Sequence, residues 1–147
     1  MKAIIFDMDG TIADLYSVKD WLPKLRAEDP SPYLDAKPLV RLSLLARKLN
    51  KLQRTGYKIG VVSWGSKVSS PEYLDAVRAA KEKWLAQHLR SVKFDSIVVC
   101  PYGTPKSSVC PFYSDSAILF DDEENNRNEW GENAFSEKEI FEILGLL

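Results

Sequence analysis

Two rhythms organise the apolar positions. Short, nearly continuous apolar runs at 2–6, 58–63, 97–100 and 117–120, with a shorter one at 134–135, read as strands buried on both faces. Between them the apolar residues recur at helical spacing. Leu42, Leu45, Leu49 and Leu52 against Arg41, Lys48 and Lys51 mark an amphipathic helix over 38–54, stopped by Gly56. Pro71 opens a second helix that runs to His88, and a closing helix covers 137–144. From 12 to 37 the pattern is interrupted by Pro23, Pro30 and Pro32, so only a short helix around 17–26 fits. Strands alternating with helices predict an α/β fold. Its central sheet is parallel and covered by helices on both faces, a three-layer sandwich with its ligand crevice at the carboxyl ends of the strands.

Composition narrows this picture. With 147 residues, 45% of them hydrophobic, the chain suits one compact domain, 1–147. A net charge of −1 gives no general attraction to nucleic acid or anionic lipid, and the basic side of the 38–54 helix reads as a solvated face. Cys100 and Cys110 are too few for a disulfide framework and have no histidines at zinc spacing, which suits a reducing, cytoplasmic setting. No apolar run approaches the roughly 18 residues that span a bilayer.

The chemistry gathers at the strand ends. The first strand runs into Asp7-Met8-Asp9-Gly10-Thr11, and alternation is expected to send the two carboxylates the same way. Their mutual repulsion is relieved by a cation, and hard oxygen ligands of this kind suit Mg²⁺. Ser63, followed by Trp64-Gly65-Ser66, closes the second strand with a hydroxyl and main-chain N–H groups that can hold the oxygens of a phosphate. Lys106 follows the third strand and Asp121-Asp122 follow the fourth. A carboxylate attacking phosphorus must be ionised and shielded from the incoming anion, which a metal ion and a lysine ammonium do together; Asp7 is the nucleophile of that reading.

In these four segments the chain resembles the haloacid dehalogenase superfamily of phosphatases, over almost its whole length. The resemblance implies a Rossmann-like fold, Mg²⁺ as cofactor and an aspartyl-phosphate mechanism. Asp7 attacks, Asp9 protonates the leaving oxygen and later deprotonates water, and Ser63, with Trp64 beside it, and Lys106 hold phosphate. Asp121 binds the metal with Asp7 and the main-chain carbonyl of Asp9, and Asp122 assists directly or through water. An acid at position 9, where a dehalogenase reading would expect an apolar residue, favours phosphate transfer to water. A carboxyl crowded by another anion also holds its proton to higher pH, as a general acid must. Lys106 lies in what reads as a loop, and Lys67 is its rival for the phosphate.

Superfamily members often carry an inserted cap, but here only 14–37 is free to form one, a miniature lid over an otherwise open site. Open sites admit bulky phosphate esters, small or macromolecular. Trp21, Tyr33 and Trp64 are placed to stack on a nucleobase or simply to pack. Two other classes compete: a receiver-like signalling domain, disfavoured because Asp121-Asp122 follow the lysine, and a binding protein that kept the fold without turnover.

Overall fold

In the computed structural model, which describes residues 2–147, the chain enters along β1 (Ala3–Phe6), every residue of which is buried. β2 (Ala13–Asp14), α1 (Trp21–Arg26), α2 (Ser31–Asp35) and β3 (Lys37–Pro38) follow, then α3 (Leu42–Arg54), β4 (Lys58–Trp64), α4 (Pro71–His88) and β5 (Ser96–Cys100). The last third holds α5 (Lys106–Val109), β6 (Ile118–Phe120), α6 (Glu124–Trp130), β7 (Ala134–Phe135) and α7 (Ile140–Gly145). Five strands pair in the order β5-β4-β1-β6-β7, all parallel, so the fold is α/β as expected. β1 sits at the centre, between β4 and β6, which brings the ends of these three strands to one edge.

Alternation along β1 sorts the helices into two layers. Ile4 and Phe6 pack with Leu45, Leu49 and Leu52 of α3, Trp84 and Leu85 of α4, and Ile140 and Leu144 of α7. Ala3 and Ile5 face the other way, among Cys110, Ala117, Leu119 and Trp130, the side of α5 and α6. Leu45 and Leu49 are wholly buried, and truncating either to alanine costs ~2–5 kcal/mol.

The expected elements shift at their ends. The 38–54 helix starts at Leu42, because Lys37 and Pro38 pair antiparallel with Asp14 and Ala13 in a two-stranded stem. From that stem 15–36 protrudes as a 3₁₀ turn (Leu15–Ser17), α1 and α2, where one helix over 17–26 was expected. Leu15, Leu25 and Tyr33 of this segment share a small core with Tyr73, Val77 and Ala80 of α4. The Tyr73 hydroxyl donates to the Asp29 carbonyl at 2.9 Å, and Ser70 donates to Glu28 at 2.7 Å. The closing helix opens with a 3₁₀ turn whose Ser136 and Glu139 form a capping box. Among the described residues, no helix is long and apolar enough to cross a membrane.

Candidate active site

β1 ends at Phe6, and the next residues turn so tightly that the Met8 carbonyl accepts from the N–H groups of Thr11, Ile12 and Ala13. Gly10 takes φ +80, and a Cβ there would collide with the Asp122 carboxylate, so the position needs glycine on both counts. The Asp7 N–H donates to the Phe120 carbonyl at 2.9 Å, tying the start of the turn to β6.

Because the strand stops before it, alternation does not carry through to Asp9. Both aspartates line one cavity, but contrary to expectation their carboxylates are held from opposite layers of helices. Asp7 continues the face of Ala3 and Ile5 and meets Lys106, whose Nζ lies 2.8 Å from Asp7 Oδ1 and 2.6 Å from Asp121 Oδ2. Asp9 turns to the other layer, where its Oδ2 accepts from Lys81 of α4 at 2.9 Å. Lys106 is the first residue of α5 rather than part of a loop, and it is 1% exposed.

Around Lys106 the sequence-distant acids meet. Asp7, Asp121 and Asp122 each bring an oxygen to within 4.8 Å of the others. Thr11 Oγ1 donates to Asp7 at 3.0 Å and accepts from the Asp122 N–H at 3.2 Å. Asp121 accepts from the Glu123 N–H at 3.0 Å and from Asn126 at 3.2 Å, and Arg127 donates to its carbonyl at 2.9 Å.

The charges distribute unevenly. Burial works to raise Asp7, but the Lys106 ammonium and its hydrogen bond override that and hold the carboxyl below the usual range. Burial and the neighbouring Asp7 charge push Asp121 up to about 6 and Asp122 up to about 8. Asp9 is also raised, by burial first and by Asp7, with Lys81 pulling the other way.

Other expected positions fall less simply. Ser63 is fully buried behind the cavity wall, its Oγ 2.6 Å from Lys81 Nζ, so its hydroxyl is not presented to the cavity. Trp64 lines the cavity, but its indole N–H donates to the Thr104 carbonyl at 2.8 Å and its ring lies against Tyr102. The Gly65 N–H is also spent, on the Cys100 carbonyl at 2.8 Å. Ser66 and Lys67 do line the cavity; Lys67 is exposed, whereas Lys106 is buried and paired with Asp7 and Asp121.

Lys81 is the residue that the sequence reading missed. A signal was present: it stands four residues after Val77 and three before Trp84, inside the apolar stripe of α4. A lysine on a buried stripe must have a partner.

The cavity measures about 710 Å³ and runs from Asp7, Asp9 and Lys106 outward between the 64–70 loop and the 15–36 segment. Tyr16 with Trp21, and Trp64 with Tyr102, form aromatic pairs on its walls. The 15–36 segment therefore forms one wall of a cavity that stays open to solvent.

No family model and no curated protein sequence matches the chain. Among solved structures it is similar to the D,D-heptose 1,7-bisphosphate phosphatase from Burkholderia thailandensis, with TM-score 0.54 and 12% identity over 92% of this chain and 91% of that one. It is also similar to the enzyme of that name from B. bronchiseptica complexed with magnesium and phosphate, with TM-score 0.53 and 18% identity over 88% of this chain and 74% of that one. The likeness shows a shared fold: the parallel-sheet α/β architecture of these two phosphatases is also that of this chain. Within this fold, the Asp7, Asp121 and Asp122 oxygens form a hard donor set that fits a divalent cation. The Asp9 carboxylate stands outside the set, which leaves only its main-chain carbonyl for the ligand role expected of it.

Proposed function

We propose that this chain is a Mg²⁺-dependent phosphomonoester hydrolase that works through an aspartyl-phosphate. One observation carries the reading: a carboxylate kept ionised by a buried lysine, Asp7, opens into the same cavity as a second carboxyl, Asp9, whose ordinary range is raised. An ionised acid beside a carboxyl that keeps its proton to higher pH suits nucleophilic attack with leaving-group protonation.

Asp7 attacks phosphorus, and the P–O ester bond breaks with its electron pair on the leaving oxygen, which takes a proton from Asp9. Asp9 then removes a proton from water as the water oxygen attacks the phosphorus of the aspartyl-phosphate, releasing inorganic phosphate and restoring both residues. Lys106 stabilises the phosphoryl oxygens and keeps Asp7 ionised. Asp7, Asp121, Asp122 and the Asp9 carbonyl would hold Mg²⁺, which would supply positive charge to offset that of the phosphoryl group. The magnesium and phosphate held by the B. bronchiseptica enzyme support this chemistry.

The two aromatic pairs and the cavity size favour a leaving group with a flat ring, a nucleotide among the bulky esters considered. Phosphate release from a panel of sugar phosphates, nucleoside monophosphates and aryl phosphates, with Mg²⁺ and with chelator, tests the function. Metal-dependent hydrolysis that falls on the order of 10³-fold or more in Asp7→Asn is the expected outcome. Full activity in that variant, or none in the native protein with Mg²⁺, overturns it.

A further inference from the structure

Lys81 sits in the middle of α4 with no exposed surface, and the steps above do not use it. Its ammonium has three N–H bonds and meets three acceptors: Asp9 Oδ2 at 2.9 Å, Ser63 Oγ at 2.6 Å and the Trp64 carbonyl at 2.7 Å. The Tyr33 ring lies 4.9 Å from the same nitrogen. Every hydrogen therefore has a protein partner, and none is spare for a ligand.

The partners differ in how firmly they are held. Ser63 and Trp64 belong to β4 and pair there with Val99 and Cys100 of β5, whereas Asp9 lies in the turn beyond the end of β1. The bonds to β4 thus fix the ammonium, and the ammonium fixes Asp9. The Asp9 side chain is 16% exposed and lines the cavity, while Oδ2 is engaged by a lysine that solvent does not reach. That leaves Oδ1 to face the substrate.

We infer that Lys81 is a positioning residue for the proposed hydrolysis: it seats the Asp9 carboxyl so that Oδ1 delivers its proton to the leaving oxygen, and Ser63 serves by seating Lys81. The inference rests on the function proposed above. Its signature is dependence on the leaving group. As the P–O bond breaks, an alkoxide must take the Asp9 proton with the electron pair, whereas 2,4-dinitrophenolate departs as a stable anion without it.

The experiment compares kcat/KM, which covers the steps up to departure of the leaving group and not the later hydrolysis common to both esters, for native protein, Lys81→Met and Ser63→Ala on a nucleoside 5′-monophosphate or sugar phosphate and on 2,4-dinitrophenyl phosphate, with Mg²⁺ saturating. Lys81→Met is expected to lose roughly 100-fold or more on the alkyl ester and less than about 10-fold on the dinitrophenyl ester, the range a general acid contributes. Ser63→Ala, which removes one of the three acceptors, shows the same selectivity at smaller size. Equal loss on both esters, with weaker inhibition by inorganic phosphate, identifies Lys81 as a phosphate ligand and overturns the inference, as does no loss at all. If Lys81→Met does not fold by circular dichroism, the ratio in Ser63→Ala decides by the same criterion. Failure of native protein to hydrolyse either ester falls on the proposed function instead.

Discussion

Two buried lysines flank the end of β1, one from each layer of helices, and the surroundings they neutralise are unlike. Lys106 bridges two carboxylates, with Asp122 close by, so one positive charge faces three acids. Lys81 bridges one carboxylate and two neutral oxygens, so its charge is matched. Burial first, and then the charge of Asp7, raises Asp121 and Asp122. The α5 side is thus built to accept further positive charge, and the α4 side is complete as it stands. In the proposed hydrolase the α5 side would recruit a cation and the α4 side would hold the proton donor still.

The strongest way to break this contrast is to remove each ammonium in turn. Lys106→Met leaves buried carboxylates without their partner and should cost ~3–5 kcal/mol. Mg²⁺ should restore part of that loss, seen as a rise in the urea midpoint, because the same oxygens can take the metal. Lys81→Met should show no such recovery, and equal recovery in both variants would erase the distinction.

Acidity sharpens it next. Asp121 and Asp122, at about 6 and about 8 in the folded chain, keep protons that carboxyls near 3.8 in the unfolded chain have released. Folding is therefore favoured at low pH by these two groups, and their contribution is lost as pH climbs from about 4 through about 8. Asp7, held low, acts in the opposite sense but only below about 4. In chelator the melting temperature should fall between pH 5 and pH 8, and Mg²⁺ should raise it more at pH 8. A Mg²⁺ effect that is larger at pH 5 would show that these acids do not hold the metal.

The smallest effect is expected on the α4 side. The Tyr33 hydroxyl shares a 2.7 Å hydrogen bond with Ser66, so Tyr33→Phe should cost about 1 kcal/mol while the ring stays over Lys81. The ratio of rates on alkyl and dinitrophenyl esters should not move; a shift would mean that the hydroxyl, and not the ring, keeps Lys81 in place.

Much of this was legible beforehand, for identifiable reasons. The runs at 58–63 and 117–120 are continuous and apolar because their strands are buried on both faces, and they locate the strands to within a residue at each end. Pro71 and the periodicity after it bounded α4 correctly. Asp7, Lys106, Asp121 and Asp122 could be placed because each follows a strand end. What escaped depends on tertiary contact. β2 and β3 are two residues each, made by closure of a stem and not by pattern, and α5 is a four-residue helix behind a loop that reads as irregular. The direction of Asp9 could not follow from alternation once the strand stopped at Phe6. Lys81, in Ala79-Ala80-Lys81-Glu82-Lys83, looks like one more solvated cation unless the stripe is traced through it.

Gly10 has a reach beyond its own turn. The volume that a methyl group would take there is already filled by an oxygen from the far end of the chain, so the shape of the first loop is inherited by the last acidic corner. A single added carbon at position 10 would act as a wedge, evicting Asp122 from the carboxylate cluster without altering one residue of that cluster.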